Sequence, residues 1–542
     1  MNKKIDGLQD KNEKLNAGTQ FFKNSFLILS IIAIIALAMR LYYFPHDIPL
    51  VLDSLTYFWY SIDLSVTGDF PTISKDIPTG GIYRLPNNGW PVFLSFFVSI
   101  YDSNNYMDYM NLQRFVSISI SIITIIPLYF LCKRFFSKSL AFLGTTIFAF
   151  HPLIIGNSLL GITESLFILL GTITIWLFLS KDYKVIIISF IVAALFTIIR
   201  YEGLIIFFPL SVMFVVKYRN TKKVFLKYSI LCLVFILVLL PMAYIRTETI
   251  GHDGIISNVL GASKYYVTIA TVSDTSTGDA SGANFIGSGL FNLVKFSGIF
   301  SLPYLIFLIP FGLIKIIKDR NFENYTLLTV GITMSLVALY AYSRDIQDTR
   351  YLLILTPIVS VISLFTIEKI FLRIKKQKII LIVICIIFIS SSMCYLEITK
   401  IDDDYERDAY EFAKIVYEKT DIINGYYPED KYLRPVIAEF SDSFPKEKNL
   451  LPKPIKLINN SLGPNNFSSI NELIEQNRDE GLEYIVADDQ KQRPQFIHDL
   501  YFEEEKFSYL KKVFDSKELD YQYNVKLFFI DYEEYDEKFS HP

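Results

Sequence analysis

The chain alternates between apolar blocks and polar stretches. The blocks run roughly 15 to 20 residues with few or no charges, and they lack the amphipathic rhythm of a soluble helical protein. Eleven stand out, near 25–44, 113–132, 139–156, 160–180, 185–199, 204–216, 225–245, 296–317, 325–342, 351–371 and 378–397, and each predicts a membrane span. Two of them, 185–199 and 204–216, are short and are split by Arg200-Tyr201-Glu202-Gly203. They read as two short spans or as a re-entrant hairpin, and interrupted segments that carry charge line polar cavities. The polar stretches carry a weaker pattern. Asp53–Val66 is aromatic-rich and of helical length, Gly80–Gly89 is rich in turn residues, and Trp90–Tyr101 is apolar again. This predicts two helices near a membrane interface. After the last block, Glu406–Lys419 and Asn471–Asp479 have helical patterns, and Leu482–Ala487 and Val525–Ile530 read as strands. The expected fold is therefore an α-helical polytopic membrane protein with a small C-terminal α/β domain.

Charge orients the spans. The leader 1–24 carries Lys3, Lys4, Lys11, Lys14 and Lys23, and no small-residue cleavage site follows the first block, which reads as a retained span. Every second loop after it is short and basic: Lys133, Arg134 and Lys138; Lys181 and Lys184; Lys217, Arg219, Lys222 and Lys223; Lys315, Lys318 and Arg320; Arg373, Lys375, Lys376 and Lys378. The positive-inside rule puts these and the leader on the cytoplasmic side. The long segments 45–112, 246–295 and 398–542 then fall outside. One long helix over 185–216 would invert all later basic loops, which argues against it. The expected domains are thus the leader 1–24, a transmembrane domain 25–397 and an extracytoplasmic domain 398–542.

Composition agrees with this division. The net charge of -3 hides 32 Asp and Glu against 18 Lys and Arg after residue 400, with the reverse excess before it. Cys132, Cys232, Cys385 and Cys394 all lie in or beside apolar blocks, so disulfides do not hold the C-terminal region. No His or Cys cluster has metal-ligand spacing. A divalent ion would need carboxylates that converge in space, which spacing alone does not give. Nothing points to nucleic acid as a partner. The run Ser273–Gly289, rich in Gly, Ser, Thr and Asp, reads equally as a lid or as a connector, and Asn459 and Asn466 stand in N-x-S triplets.

Ionisable residues beside membrane spans are costly, so each invites a functional reading. Eight gather at the outer ends of spans or in outer loops: Arg40, Asp47, Asp53, Arg84, Glu164, Arg200, Glu202 and Arg350. Carboxylates and guanidiniums on one membrane face suit transfer of a group off a lipid phosphate. A carboxylate takes the proton of an attacking hydroxyl. Guanidiniums hold the departing phosphate. Plainer readings stand beside these. Arg40 and Arg350 are also what interface anchors look like, Glu164 could be loop-exposed, Glu202 a salt-bridge partner of Arg200, Asp47 a turn residue and Asp53 a helix N-cap.

Three stretches carry a resemblance. One is PLVLDSLTYFWYSIDL around Asp53, and a second is YRLPNNGWPVFLSFF around Arg84. The third runs from Arg114 through HPLIIGNSLLGITESLFILLGT and FTIIRYEGLIIFFP to TRYLLILTP. Together, over roughly 30–370, they resemble the GT-C superfamily of polyprenyl-phosphate-dependent glycosyltransferases, nearest the protein O-mannosyltransferase and aminoarabinose-transferase group. The resemblance implies Asp53 as catalytic base and Arg84 at the donor phosphate. It implies Arg350 and Tyr351 near that phosphate, with Arg200 as a further ligand, and Glu164 orienting acceptor or sugar. Arg40, Asp47, Arg114 and Glu202 support them. Asp53-Ser54 stands where protein O-mannosyltransferases have Asp-Glu, and the oligosaccharyltransferase motif WWDYG is absent. The implied partners are a polyprenyl-phosphate sugar, an acceptor glycan, lipid or protein, and the surrounding lipid. A transporter or lipid flippase is the first rival, although internal repeats are not visible. A membrane-anchored receptor is the second.

Overall fold

The structure, a computed structural model, describes residues 25–68, 88–103, 105–261, 282–371, 377–399, 403–419, 425–426, 467–479, 481–490 and 493–539. All eleven apolar blocks are helical, as a lipid environment demands of backbone that cannot bond to water. Among the described residues seven helices are long and apolar enough to cross a membrane alone: Ser25–Tyr42, Tyr106–Phe135, Tyr201–Tyr218, Val224–Thr249, Phe322–Ser343, Thr349–Lys369 and Ile379–Thr399. Glu164–Phe178 and Tyr183–Ile199 are shorter apolar helices.

The other two blocks are not continuous helices, which corrects the sequence reading. Lys138–Ala149 and Pro152–Ser158 meet at 54°, and Phe285–Phe300 and Leu305–Lys318 at 113°. A proline sits at each break, Pro152 and Pro303. Proline lacks the N–H that continues a helix and pushes the residue before it out of helical geometry. The two breaks are tied together. The His151 ring Nε2 lies 3.0 Å from the Phe300 carbonyl oxygen, and the Tyr304 hydroxyl donates to the Ile147 carbonyl at 3.2 Å.

The chain divides into two compact units. The first comprises Met1–Phe44, Arg84–Leu94 and Leu112–Thr399, and the second Pro45–Tyr83, Ser95–Asn111 and Lys400–Pro542. Most of the 45–112 segment, expected to go with the transmembrane domain, therefore folds with the C-terminal region. Its two helices are Leu52–Thr67 and Gly89–Ile100, within a residue of the expected bounds.

In the second unit, strands β1 (Gly425–Tyr426), β2 (Tyr484–Asp488), β3 (Leu510–Asp515) and β4 (Val525–Ile530) form one sheet in the order β1-β2-β4-β3. β1 runs parallel to β2, while β4 is antiparallel to both β2 and β3. The period-two alternation of strands supplies two cores. Val486, Val525 and Leu527 pack with Ala409, Phe412, Ala413 and Val416 of the helix Asp403–Lys419. Ile485, Ala487, Phe528 and Ile530 pack with Leu473, Ile474, Ile497 and Leu500. The sequence reading found β2 and β4 but not β3, whose LKKVFD exposes both lysines. It also missed the helices Gln495–Phe502 and Tyr532–Phe539. The Ser273–Gly289 run lies outside the described residues up to 281, and from Gly282 it is helix rather than loop. Asn459 and Asn466 lie outside the described residues.

Candidate functional site

Glu164 is placed by a turn. Gly161 has φ 70°, a left-handed conformation that favours glycine, and a Cβ there would meet the Gln113 side chain at 2.9 Å. Two side chains fix the turn by donating to the Gly161 carbonyl, Trp90 Nε1 at 3.1 Å and Gln113 Nε2 at 2.7 Å. Three residues later Glu164 opens the helix Glu164–Phe178, where the helix dipole favours a carboxylate. It is buried rather than loop-exposed.

Arg200 reaches it from a hinge. The helix Tyr183–Ile199 ends there, Arg200 is extended (φ -144°, ψ 126°), and a 3-10 turn Tyr201–Ile206 follows before the helix Phe207–Tyr218. Arg200 Nη1 donates to Glu164 Oε1 at 2.6 Å and to Thr163 Oγ1 at 3.1 Å, and Nη2 donates to Glu202 Oε1 at 3.0 Å. The guanidinium carbon lies 5.8 Å from the Phe167 ring centre and 5.9 Å from that of Tyr351. Tyr351 comes from a second 3-10 turn, Thr349–Leu355. Asp348 caps that turn by accepting from the Arg350 backbone N–H, and it also accepts from Arg350 Nε at 2.5 Å.

Glu164, Arg200, Glu202, Arg350 and Tyr351 line one cavity of about 20 Å³. Among the described residues Glu202 Oε2 is buried with no hydrogen-bond partner, so the site keeps an acceptor for an incoming hydroxyl or water. Three carboxylates face two guanidiniums here, counting Asp348, so the cluster by itself carries no surplus positive charge. Arg200 is occupied by Glu164 and Glu202, which makes it a strut between carboxylates rather than an open phosphate ligand.

Arg246, which the sequence reading passed over, is nearly fully buried near the end of the helix Val224–Ile250 and donates to Asn88 Oδ1 at 2.6 Å. The backbone passes close above it, since a Cβ on Gly254 (φ 69°) would meet Arg246 Nε at 1.9 Å. The signal was available, an arginine ending an apolar helix. Arg246 follows directly on the apolar block 225–245, so hydropathy groups it with the polar loop.

The remaining candidates scatter. Arg40 is fully buried and is not an interface anchor. It donates to Ser158 Oγ, Ser121 Oγ and the carbonyls of Ala36 and Ala149 at 3.0–3.1 Å. Arg114 is buried and donates to the Leu159 carbonyl at 3.2 Å. Asp47 is exposed in a turn. Asp53 belongs to the second unit, and it is not the helix cap. Val51 holds that position, without a side-chain cap bond, and Asp53 is an exposed residue of the first turn. Arg84 lies outside the described residues. Among the described residues no group of three or more His, Cys, Asp or Glu is placed to hold a metal ion.

No protein-family profile matches the chain, and no curated protein matches it in sequence. Solved structures do match. The archaeal oligosaccharyltransferase AglB from Archaeoglobus fulgidus, in complex with an inhibitory peptide and a dolichol-phosphate, superposes with a TM-score of 0.51 at 12% identity, covering 86% of this chain and 69% of that one. The same enzyme with Zn and sulfate gives 0.52 at 13% identity, over 85% and 68%. ArnT from Cupriavidus metallidurans bound to undecaprenyl phosphate gives 0.50 at 9% identity, over 93% of this chain and 97% of that one. At these identities the likeness is one of fold.

Proposed function

We propose, from the GT-C glycosyltransferase fold that this chain has, that it is an inverting glycosyltransferase. It moves a sugar from a polyprenyl-phosphate-linked donor to an acceptor hydroxyl at the outer face of the membrane. The observation that carries this reading is the cluster of Glu164, Arg200, Glu202, Arg350 and Tyr351 around one cavity, on a fold whose solved examples bind dolichol-phosphate and undecaprenyl phosphate.

In this reading Asp53 takes the proton of the acceptor hydroxyl as its oxygen attacks the anomeric carbon. The bond from that carbon to the phosphate oxygen breaks, and the polyprenyl phosphate leaves with the electron pair. A single displacement inverts the anomeric centre. The leaving phosphate gains charge, which Arg84 and Arg350 neutralise, with Arg246 added as a buried guanidinium bonded to Asn88. Glu164 and Glu202, held by Arg200, accept hydroxyls of the sugar or acceptor. The membrane supplies the donor at a fixed depth and so supplies proximity. The leader is cytoplasmic, and the domain 398–542 and the loop 246–295 are extracytoplasmic. The acceptor is a glycan, lipid or protein.

The test is donor consumption. The protein in lipid nanodiscs is offered a panel of labelled undecaprenyl-phosphate sugars with cell-envelope acceptors, beside Asp53→Asn. Transfer from one donor, lost in Asp53→Asn, upholds the reading. Equal use by both proteins keeps the class and removes Asp53 as base. No reaction with any donor moves a transporter or receptor ahead of it.

A further inference from the structure

The C-terminal domain carries no catalytic motif, yet its core contains a residue from another part of the chain. Ile48 belongs to the same buried cluster as Ala409, Phe412, Val416, Tyr523 and Leu527, and Val51 and Met107 pack against it. The neighbouring residues face elsewhere. Leu50, Leu55 and Phe58 form a separate core with Tyr106, Tyr109 and Met110, and the Leu50 backbone N–H donates to Met110 Sδ at 3.2 Å. Residues 48–55 thus form a strap pinned alternately into two cores. Between the pins stands Leu52, with φ 51° and a side chain 73% exposed. A left-handed leucine is unfavourable, and here burial does not repay it, so the conformation is imposed by the residues that flank it. Asp53 follows immediately and opens towards solvent.

We propose that the C-terminal α/β domain holds Asp53 in its working orientation, through Ile48 seated in its core and Val51 packed against it. The inference rests on Asp53 being the base of the proposed transfer. Ile48 and Val51 are positioning residues: they act on the reaction through the backbone turn at Leu52. The domain therefore contributes to turnover and not only to acceptor capture. A seat made of apolar side chains fixes direction without adding charge beside the carboxylate, and a small displacement of a base is costly to rate.

The experiment uses the full chain in lipid nanodiscs and labelled undecaprenyl-phosphate sugars. It compares Ile48→Ala, Ile48→Val, Leu527→Ala and Asp53→Asn, and reads hydrogen exchange at the amides of residues 52–56. The expected result for Ile48→Ala and Leu527→Ala is a kcat about 10- to 100-fold lower with the donor KM unchanged, and faster exchange at 52–56. Ile48→Val is expected to restore most of the rate. If Leu527→Ala does not fold, Ile48→Ala decides alone. A fully active Ile48→Ala beside an inactive Asp53→Asn overturns this inference and leaves the proposed function intact. An active Asp53→Asn removes the base and this inference with it. If no donor reacts with any of the proteins, the proposed function and this inference fall together.

Discussion

Arg200 and Glu164 lie 36 residues apart in the chain and meet at 2.6 Å, with side chains only 15% and 5% exposed. Glu202 takes the other arm of the same guanidinium at 3.0 Å. A buried carboxylate of this kind depends on its partner. Removing one member of a buried pair leaves an uncompensated charge, at about 3–5 kcal/mol. Arg200→Ala is therefore expected to lower the melting temperature sharply, while Arg200→Ala combined with Glu164→Gln recovers much of the loss. Thermal unfolding in lipid measures both. Arg200→Lys, which lacks the planar fork, is expected to recover less.

Asp53→Asn is expected to melt like the parent protein, because the residue is exposed and is not the helix cap. Its turnover should fall by about 10²–10⁴, the usual contribution of a positioned general base. A loss of stability in this variant, measured by the same melt, would return Asp53 to a structural role.

Arg246→Met keeps apolar volume and removes the guanidinium. If Arg246 neutralises the leaving phosphate, kcat should fall by about 10²–10³, as when one oxyanion donor is lost. An unchanged kcat with a lowered melting point would make its bond to Asn88 structural.

Asp63 gives the protein a pH dependence outside the membrane spans. Burial pushes its carboxyl up from the ordinary range to about 6. The folded state therefore favours the neutral acid. That contribution is fully present below about pH 4, where the unfolded chain is also protonated, and is lost as pH rises through about 6. At neutral pH the charged form costs up to about 3 kcal/mol. Asp63→Asn is expected to flatten the fall in stability between about pH 4 and 6, read by melting temperature across that range. A slope equal to the parent's would assign the dependence to other groups.

Two ion pairs of the C-terminal domain should behave oppositely. Asp488 is fully buried and accepts three contacts from two nitrogens of Arg493, Nε and Nη2, at 2.7–3.0 Å. Arg493→Ala is expected to cost about 3–5 kcal/mol. The Arg478–Asp536 pair has equally short contacts of 2.6 and 2.7 Å, but its side chains are 38% and 45% exposed. Arg478→Ala is expected to leave the melt nearly unchanged, because solvent and side-chain entropy offset such pairs.

Hydropathy made the helices legible because lipid leaves the backbone no alternative to internal pairing. It did not show the breaks, since Pro152 and Pro303 sit inside apolar windows whose average they barely alter. The strands β2 and β4 announced themselves as apolar runs with buried faces, whereas β3, at the sheet edge, turns Lys511 and Lys512 outward and reads as polar chain. For the site, each charged residue could be picked out singly as expensive. That Glu164 and Glu202 would share Arg200, or that Arg40 would be satisfied wholly inside a helix bundle, depends on contacts 36 to 118 residues apart. Spacing says nothing of such contacts. The seat of Ile48 in the C-terminal core was hidden for the same reason.

The tie from His151 to Phe300 joins two interrupted helices whose sequences are separated by 149 residues. Synthesis proceeds at about 5–20 residues per second, so the first break waits on the order of ten seconds before its partner has even been made. During that interval His151 is a polar group in a nascent membrane bundle, at a place where the helix cannot satisfy it. The early spans therefore gain this contact only after the later pair of helices has been made. A chain truncated before residue 300 is expected to lack this tie and to hold its first helix break without it.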